Sequence, residues 1–151
     1  MHHDFDLPES SWITLLSIAH RYEFLNIYKR AIYELFDRPA SGRQSSGSAS
    51  GPSYAKLISV AEKYDVPFQH VLPSIVALVT RSEPLIEVEV VHLSMLTICR
   101  LGRAREEYIR TTVRHSRSLN LDGKVMVVKD IVRNIWGVTQ SRRLNLNLDV
   151  Y

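Results

Sequence analysis

The chain has 151 residues, of which 45% are hydrophobic and 23% charged, a composition typical of a soluble folded domain and unlike that of a disordered chain. A single cysteine excludes an intramolecular disulfide and a thiolate zinc site built from this chain alone, which predicts an intracellular location, cytoplasmic or nuclear. The net charge of +3 indicates no class of partner, and no stretch reaches the roughly 18 to 20 consecutive apolar residues of a membrane span.

The first predicted unit is a helical hairpin over residues 8 to 36. Apolar side chains recur with the spacing of one buried helix face from about residue 11 to residue 22, and Ser10 or Ser11 can cap that helix. A second helix is predicted from about Asn26. Because only three residues connect the two helices, we expect them to be antiparallel neighbours.

A segment rich in serine and glycine, residues 37 to 53, follows the hairpin. It has too few apolar side chains to offset the entropy of ordering, so we predict a flexible, disordered insert. The next unit, residues 54 to 117, combines a second hairpin with a long helix from about Ser94 to Val113. Pro73 lies inside this hairpin and lacks a backbone donor, which predicts a bend or restart of its helix.

A terminal helix is predicted within residues 118 to 137. Asp122 is available to cap it and Gly137 to end it. The remaining residues, 138 to 151, alternate apolar and polar side chains like a half-buried strand. A lone strand is unlikely to be stable, so we expect an irregular tail.

An internal repeat is the most informative feature of the chain. Residues 54 to 66, YAKLISVAEKYDV, repeat residues 12 to 24, WITLLSIAHRYEF, at a constant offset without a gap. The repeat predicts an all-α fold of stacked helical hairpins in a single domain. The side chains assigned to the core of that fold are Trp12, Leu16, Tyr22, Leu57, Val60 and Tyr64.

Three blocks of the sequence resemble the C-terminal region of fungal BTB/POZ domain-containing proteins: SSWITLLSIAHRYEFLNIYKRAIYEL, YAKLISVAEKYDVPFQHVLPSIVALVTRSEPL and LSMLTICRLGRAREEYIR. The resemblance covers about residues 8 to 137 apart from the insert. It implies that the first hairpin is similar to the closing helices of a BTB domain and the rest to its helical extension. The strands and early helices that precede these blocks in the family have no counterpart in this sequence, so we expect a truncated or degenerate relative.

That resemblance implies a non-catalytic adaptor or scaffold that binds a protein partner and is capable of self-association. The residues agree, because no phosphate-binding or hydrolase motif is present and the six histidines lack metal-ligand spacing. We therefore expect no enzyme activity, no metal site and no cofactor. Cys99 lies among apolar neighbours on the long helix, where we expect it to be buried and unreactive.

The alternative function is nucleic-acid association through the arginine-rich long helix. The candidate residues are Arg103, Arg110, Arg114 and Arg117. Helical spacing is expected to spread the arginines of this region around the helix, which makes a nucleic-acid partner the less favoured choice. Arg105 falls within the apolar stripe, and we expect its stem to lie on the core and its charge to meet a carboxylate.

Overall fold

The structure, a computed structural model, describes residues 7–38, 53–114 and 121–137. Every regular element in these ranges is a helix, which confirms the all-α class. Most of the predicted insert and the whole predicted tail lie outside the described residues. The helices are α1 (Glu9–Arg21), α2 (Leu25–Ile32), α3 (Tyr54–Lys63), α4 (Phe68–Thr80), α5 (Glu87–Val90), α6 (Met95–Arg114) and α7 (Leu121–Ile135), and a π-helical turn, Tyr33–Asp37, continues α2.

The start of α1 differs from the predicted serine cap. The helix begins at Glu9 after the extended residue Pro8, and no side chain caps it. The Pro8 carbonyl instead accepts hydrogen bonds from the backbone N–H groups of Ser11 (2.9 Å) and Trp12 (3.2 Å). The serine prediction was wrong because both serines already lie in the first helical turn, one and two residues after the first helical position.

The two copies of the repeat end in the same backbone corner. Glu23 (φ 58°) and Asp65 (φ 51°) both adopt the left-handed conformation. Each directly follows the C-cap residue of its helix, Tyr22 or Tyr64. The next N–H returns to the helix in each copy, from Phe24 to the Ala19 carbonyl (2.9 Å) and from Val66 to the Ala61 carbonyl (3.0 Å). This is the Schellman pattern of helix termination, and it turns the chain into α2 and α4 respectively.

Helix α4 is the centre of the fold and packs on α3, α6, α7 and the π-helical turn. It is continuous from Phe68 to Thr80 although Pro73 lies inside it, so the predicted restart near Leu72 does not occur. Pro73 removes only the hydrogen bond to the carbonyl four residues earlier. Burial of both neighbours, Leu72 and Ser74, together with Ile75 and Val79 on the same helix, keeps α4 in place on its partners.

The core contains four of the six side chains assigned to it from the sequence: Trp12, Leu16, Leu57 and Val60. Tyr64 is half-buried and packs against that core. The assignment of Tyr22 was wrong, because its side chain is 59% exposed. The repeat aligns Tyr22 with Tyr64, but within the described residues only Tyr64 is contacted by the other copy of the repeat, through His20.

The long helix and the terminal helix form the third antiparallel pair, α6 with α7. Ser94 caps α6, since its hydroxyl accepts a hydrogen bond from the Thr97 N–H at 3.2 Å. Asp122 lies inside the first turn of α7 rather than before it, so its predicted capping role was wrong. Gly137 follows α7 with a φ of 71°, as the predicted C-terminal stop requires.

Candidate protein-interaction surface

The first hairpin lies on the second repeat through a polar clasp at the corner after α3. The Tyr28 hydroxyl donates to the backbone carbonyls of Tyr64 (3.1 Å) and Asp65 (3.0 Å). Nε2 of His20 lies 3.3 Å from the Asp65 carboxylate. Burial and then the nearby Asp65 charge raise the pKa of Tyr28, so the hydroxyl keeps its proton and remains a donor at neutral pH.

The same contact continues along α1 and α3. A hydrogen bond from Ser17 is the largest of several influences that lower the pKa of the Tyr64 phenol. At the other end of the two helices, Nζ of Lys56 lies 2.9 Å from a carboxylate oxygen of Glu9. Side chains of α1 therefore contact α3 at Lys56 and at Tyr64. Val60 lies between those two positions in the helical spacing and is 8% exposed.

No residue in the described part of the chain covers the equivalent side of α1. Thr14, Ile18 and Tyr22 are the repeat partners of Lys56, Val60 and Tyr64, and all three are exposed. Ile18 is 42% exposed where Val60 is 8%, and Phe24 is 51% exposed where its partner Val66 is 8%. We name this surface the open face. It comprises Leu7, Thr14, Ile18, Tyr22, Phe24 and Leu25.

The open face begins at a shallow groove beside the start of α1 and ends at a pair of aromatic rings. At the start of α1 a shallow groove of about 350 Å³ is lined by Leu7, Ser10, Ser11, Thr14 and Leu15. At the corner, the rings of Tyr22 and Phe24 stack with centroids 6.0 Å apart, and the Arg21 guanidinium lies 5.8 Å from the Tyr22 centroid. A contiguous apolar surface with a polar margin is typical of a protein-binding site.

A second exposed apolar surface lies around α5 and the start of α6. We name it the α5 ridge, and its residues are Ile86, Val88, Val91, Met95 and Leu96. Cys99, one turn further along α6, is also exposed. The expectation that Cys99 is buried was wrong because its apolar neighbours Met95 and Leu96 themselves lie on the outer side of the helix.

Two arginines hold the loop that precedes the α5 ridge. Arg81 forms a bidentate ion pair with Glu89, with N–O distances of 2.7 and 2.5 Å, and also donates to the carbonyls of Glu83 and Pro84. Arg105 donates to the carbonyls of Ser82 and Glu83. Arg105 was expected to meet a carboxylate, but it meets backbone carbonyls, because this loop turns its C=O groups toward α6.

The arginines proposed for nucleic-acid binding lie mostly together. Arg103, Arg110 and Arg114 are all exposed, and at about 100° per residue they fall within about 40° of one another on α6. Arg105 lies about 140° from the nearest of these three, on the opposite side of α6, so the arginines of the long helix as a set do spread around it. Glu107 forms an ion pair with Arg110 at 3.1 Å, and Glu106 is exposed on the same side, so this face carries both signs of charge. Arg117 lies outside the described residues.

Other polar groups in the described ranges serve as connections between elements. His70 binds the Asp37 carboxylate at 2.9 Å, joining α4 to the π-helical turn. Glu34, a buried carboxylate, lies between Arg30 (2.5 Å) and Arg38 (3.0 Å). No group of three or more His, Cys, Asp or Glu side chains in residues 7–38, 53–114 and 121–137 is placed to hold a metal ion.

None of the helices described combines the length and the apolar character needed to span a lipid bilayer.

Sequence reasoning missed the open face, although the repeat contained the alignment from which it follows. The repeat aligns Ile18 with Val60 and Tyr22 with Tyr64. Which copy is buried depends on tertiary packing and is seen only in the structure.

Comparison with known proteins finds no match to a protein-family model, to a curated protein or to a solved structure. The surfaces are therefore interpreted from the geometry and chemistry of this chain.

Proposed function

We propose that the chain is a non-catalytic protein-interaction module, a helical part of a BTB/POZ-type adaptor or scaffold, and that it binds its partner on the open face. One observation carries the proposal. On α3, residues of α1 contact Lys56 and Tyr64 and Val60 between them is buried, whereas the equivalent residues of α1, namely Thr14, Ile18 and Tyr22, are exposed. The chain thus contains both a filled and an empty version of one interface.

The stacking order of the helices supports this proposal. His20 on α1 reaches Asp65 after α3, and the residue on α3 that is equivalent to His20, Glu62, accepts a hydrogen bond from Thr97 on α6. One polar contact thus links α1 to the corner after α3, and one links α3 to α6. In stacked helical repeats each unit covers the next, and the outermost unit presents an unpaired face. Among the described helices α1 has that outer position.

The apolar content of the open face gives a partner something to bury. Ile18, Tyr22, Phe24 and Leu25 are each at least two-fifths exposed. Complete burial of such a side chain is worth about 1.5 to 3 kcal/mol, so covering the exposed part contributes on the order of 1 kcal/mol for each. The α5 ridge is also apolar, but its residues lie outside the two copies of the repeat, so they have no buried repeat partners. The α5 ridge therefore serves as the control surface for the open face.

Site-specific photo-cross-linking tests the proposal in cells that produce the full chain. A photoreactive phenylalanine replaces Tyr22, and the matched controls carry it at Tyr54, which is 49% exposed on the second repeat, or at Val88 on the α5 ridge. We expect one discrete adduct with another protein from position 22 only, and its loss when Ile18→Asp is added. Absence of an adduct from position 22, or equal adducts from positions 54 and 88, would contradict the proposal.

A further inference from the structure

We infer that the open face receives an α-helical hairpin that docks on α1 as the first hairpin docks on α3, and that presents a hydroxyl donor and a cationic or imidazole side chain to the corner at Tyr22 and Glu23. This inference rests on the proposed function and specifies the partner. Three features of the filled interface support it: the backbone of the corner, the charges along the helix and the apolar positions between them.

The corner supplies the hydrogen-bond acceptors. Tyr22 (φ −105°, ψ 9°) and Tyr64 (φ −118°, ψ 21°) have closely similar backbones, and Glu23 and Asp65 share the left-handed conformation. The two corners therefore direct their carbonyls alike. In the second copy both carbonyls accept from the Tyr28 hydroxyl, whereas no described residue gives a hydroxyl to the carbonyls of Tyr22 and Glu23. A docked hairpin with a tyrosine at the position of Tyr28 would satisfy both.

The charges of the open face specify the partner more closely. Asp65 meets the imidazole of His20, and its repeat partner Glu23 has the same charge and is exposed. A cationic or imidazole group on the partner would therefore face Glu23. At the other end Lys56 meets Glu9, but its repeat partner is the neutral Thr14. We therefore expect no carboxylate requirement at the position of the partner that corresponds to Glu9.

The apolar positions favour a helix over an extended segment. Thr14, Ile18 and Tyr22 are four residues apart, so they form one row that runs about 12 Å along α1 at 1.5 Å per residue and turns by about 80° around it. The corner residues Phe24 and Leu25 extend this row to the start of α2. In the filled interface the equivalent row is matched by Glu9, Ser17 and His20, which recur at helical spacing on α1.

The test uses the chain's own first hairpin as the probe. Residues 7–53 are repeated once at the N-terminus of the full chain, and Cys99→Ser removes the native thiol. His20→Cys in the added hairpin and Glu23→Cys in the original hairpin place two thiols where the inferred docking brings them together. The positive control is the unextended chain with His20→Cys and Asp65→Cys, and the negative control pairs the added His20→Cys with Val88→Cys on the α5 ridge.

We expect a short bismaleimide to join the test pair at a rate close to that of the positive control and at least about tenfold faster than the negative control, because docking raises the effective concentration of one thiol at the other. Tyr28→Phe in the added hairpin should lower the rate, whereas Tyr33→Phe should not. A test pair that reacts no faster than the negative control overturns the inference.

The two experiments separate the inference from the proposed function. If the added hairpin does not dock but position 22 still yields an adduct with another protein, the partner is not a hairpin of this kind and the interaction surface stands. If the adduct joins two copies of this chain through position 22, the open face is a symmetric interface and the inference is wrong. Loss of the adduct itself removes the proposed function.

Discussion

The Tyr28 hydroxyl lies 3.0 Å from the backbone carbonyl of Asp65, 37 residues later in the chain. Through this contact the side chain of α2 recognises the corner that ends α3, and the second bond of the same hydroxyl, to the Tyr64 carbonyl, fixes its position further. The first hairpin thus uses backbone acceptors of the corner through Tyr28 and the Asp65 side chain through His20.

Replacement of Tyr28 by phenylalanine should lower the free energy of unfolding by about 0.5 to 1.5 kcal/mol. A typical intramolecular hydrogen bond contributes about 0.5 to 1.5 kcal/mol, and the single proton of this hydroxyl is shared between two carbonyls. Urea unfolding followed by circular dichroism measures the change. Tyr33→Phe is the matched control, because Tyr33 is 46% exposed and its ring faces Arg30, so it should change little. Equal effects of the two variants would show that the clasp does not stabilise the fold.

Replacement of Leu57 by alanine should lower the free energy of unfolding by about 2 to 5 kcal/mol, as removal of a buried large side chain does. Leu57 is 4% exposed and belongs to the hydrophobic core. Leu96→Ala on the α5 ridge removes the same atoms from a 59% exposed site and should stay within about 0.5 kcal/mol. A Leu57 effect below about 0.5 kcal/mol would mean that the repeat is not packed as described.

Replacement of Arg105 by methionine should loosen the loop before α5. The guanidinium donates to the carbonyls of Ser82 and Glu83, and charged hydrogen bonds of this kind contribute about 1.5 to 3 kcal/mol. Hydrogen exchange of amides 82–91 should therefore speed up, while exchange in α3 stays nearly unchanged. Arg103→Met, at an exposed position on the same helix, is the control. Unchanged exchange in the loop would contradict the assigned role.

Acid should destabilise the protein partly through Glu89. Its hydrogen bonds with Arg81, aided by the Ile86 N–H, hold its pKa below the ordinary value of 4.5 against the opposing effect of burial. A depressed pKa in the folded state means that the stabilisation is fully present above about 4.5 and is lost as the pH falls through the lower folded value. Glu89→Gln should therefore be less stable than the parent at pH 7 and approach it at the acid end. Parallel stability curves from pH 7 to pH 3 would contradict this.

Cys99 should react with a thiol reagent in the native protein. Its side chain is exposed beside Met95 and Leu96, so access does not require unfolding. We expect full modification without denaturant, at a rate within about tenfold of that in urea. A reaction that proceeds only in denaturant would show that the start of α6 is covered. The modified chain also supplies a reporter on the α5 ridge, which should not respond to a partner bound on the open face.

Local sequence was sufficient to predict most of the helices. The spacing of apolar residues placed α1 within two residues of its observed ends, and Gly137 marked the end of α7. These features depend on side-chain periodicity and backbone freedom within a few residues, which the sequence contains directly. The cap of α1 was missed because Pro8 supplies a backbone carbonyl where a side-chain oxygen was expected.

The sequence by itself therefore determined the helical class, the repeat and four core positions. It could not determine which copy of the repeat is covered. Tyr22 and Tyr64 occupy identical places in aligned segments with the same corner, yet the first is 59% exposed and the second packs against the core. Burial depends on the neighbour that lies over a residue, and that neighbour is chosen by long-range packing. Only the tertiary structure, by placing Tyr28 and His20 over one corner and leaving the other open, distinguished an internal interface from a candidate binding surface.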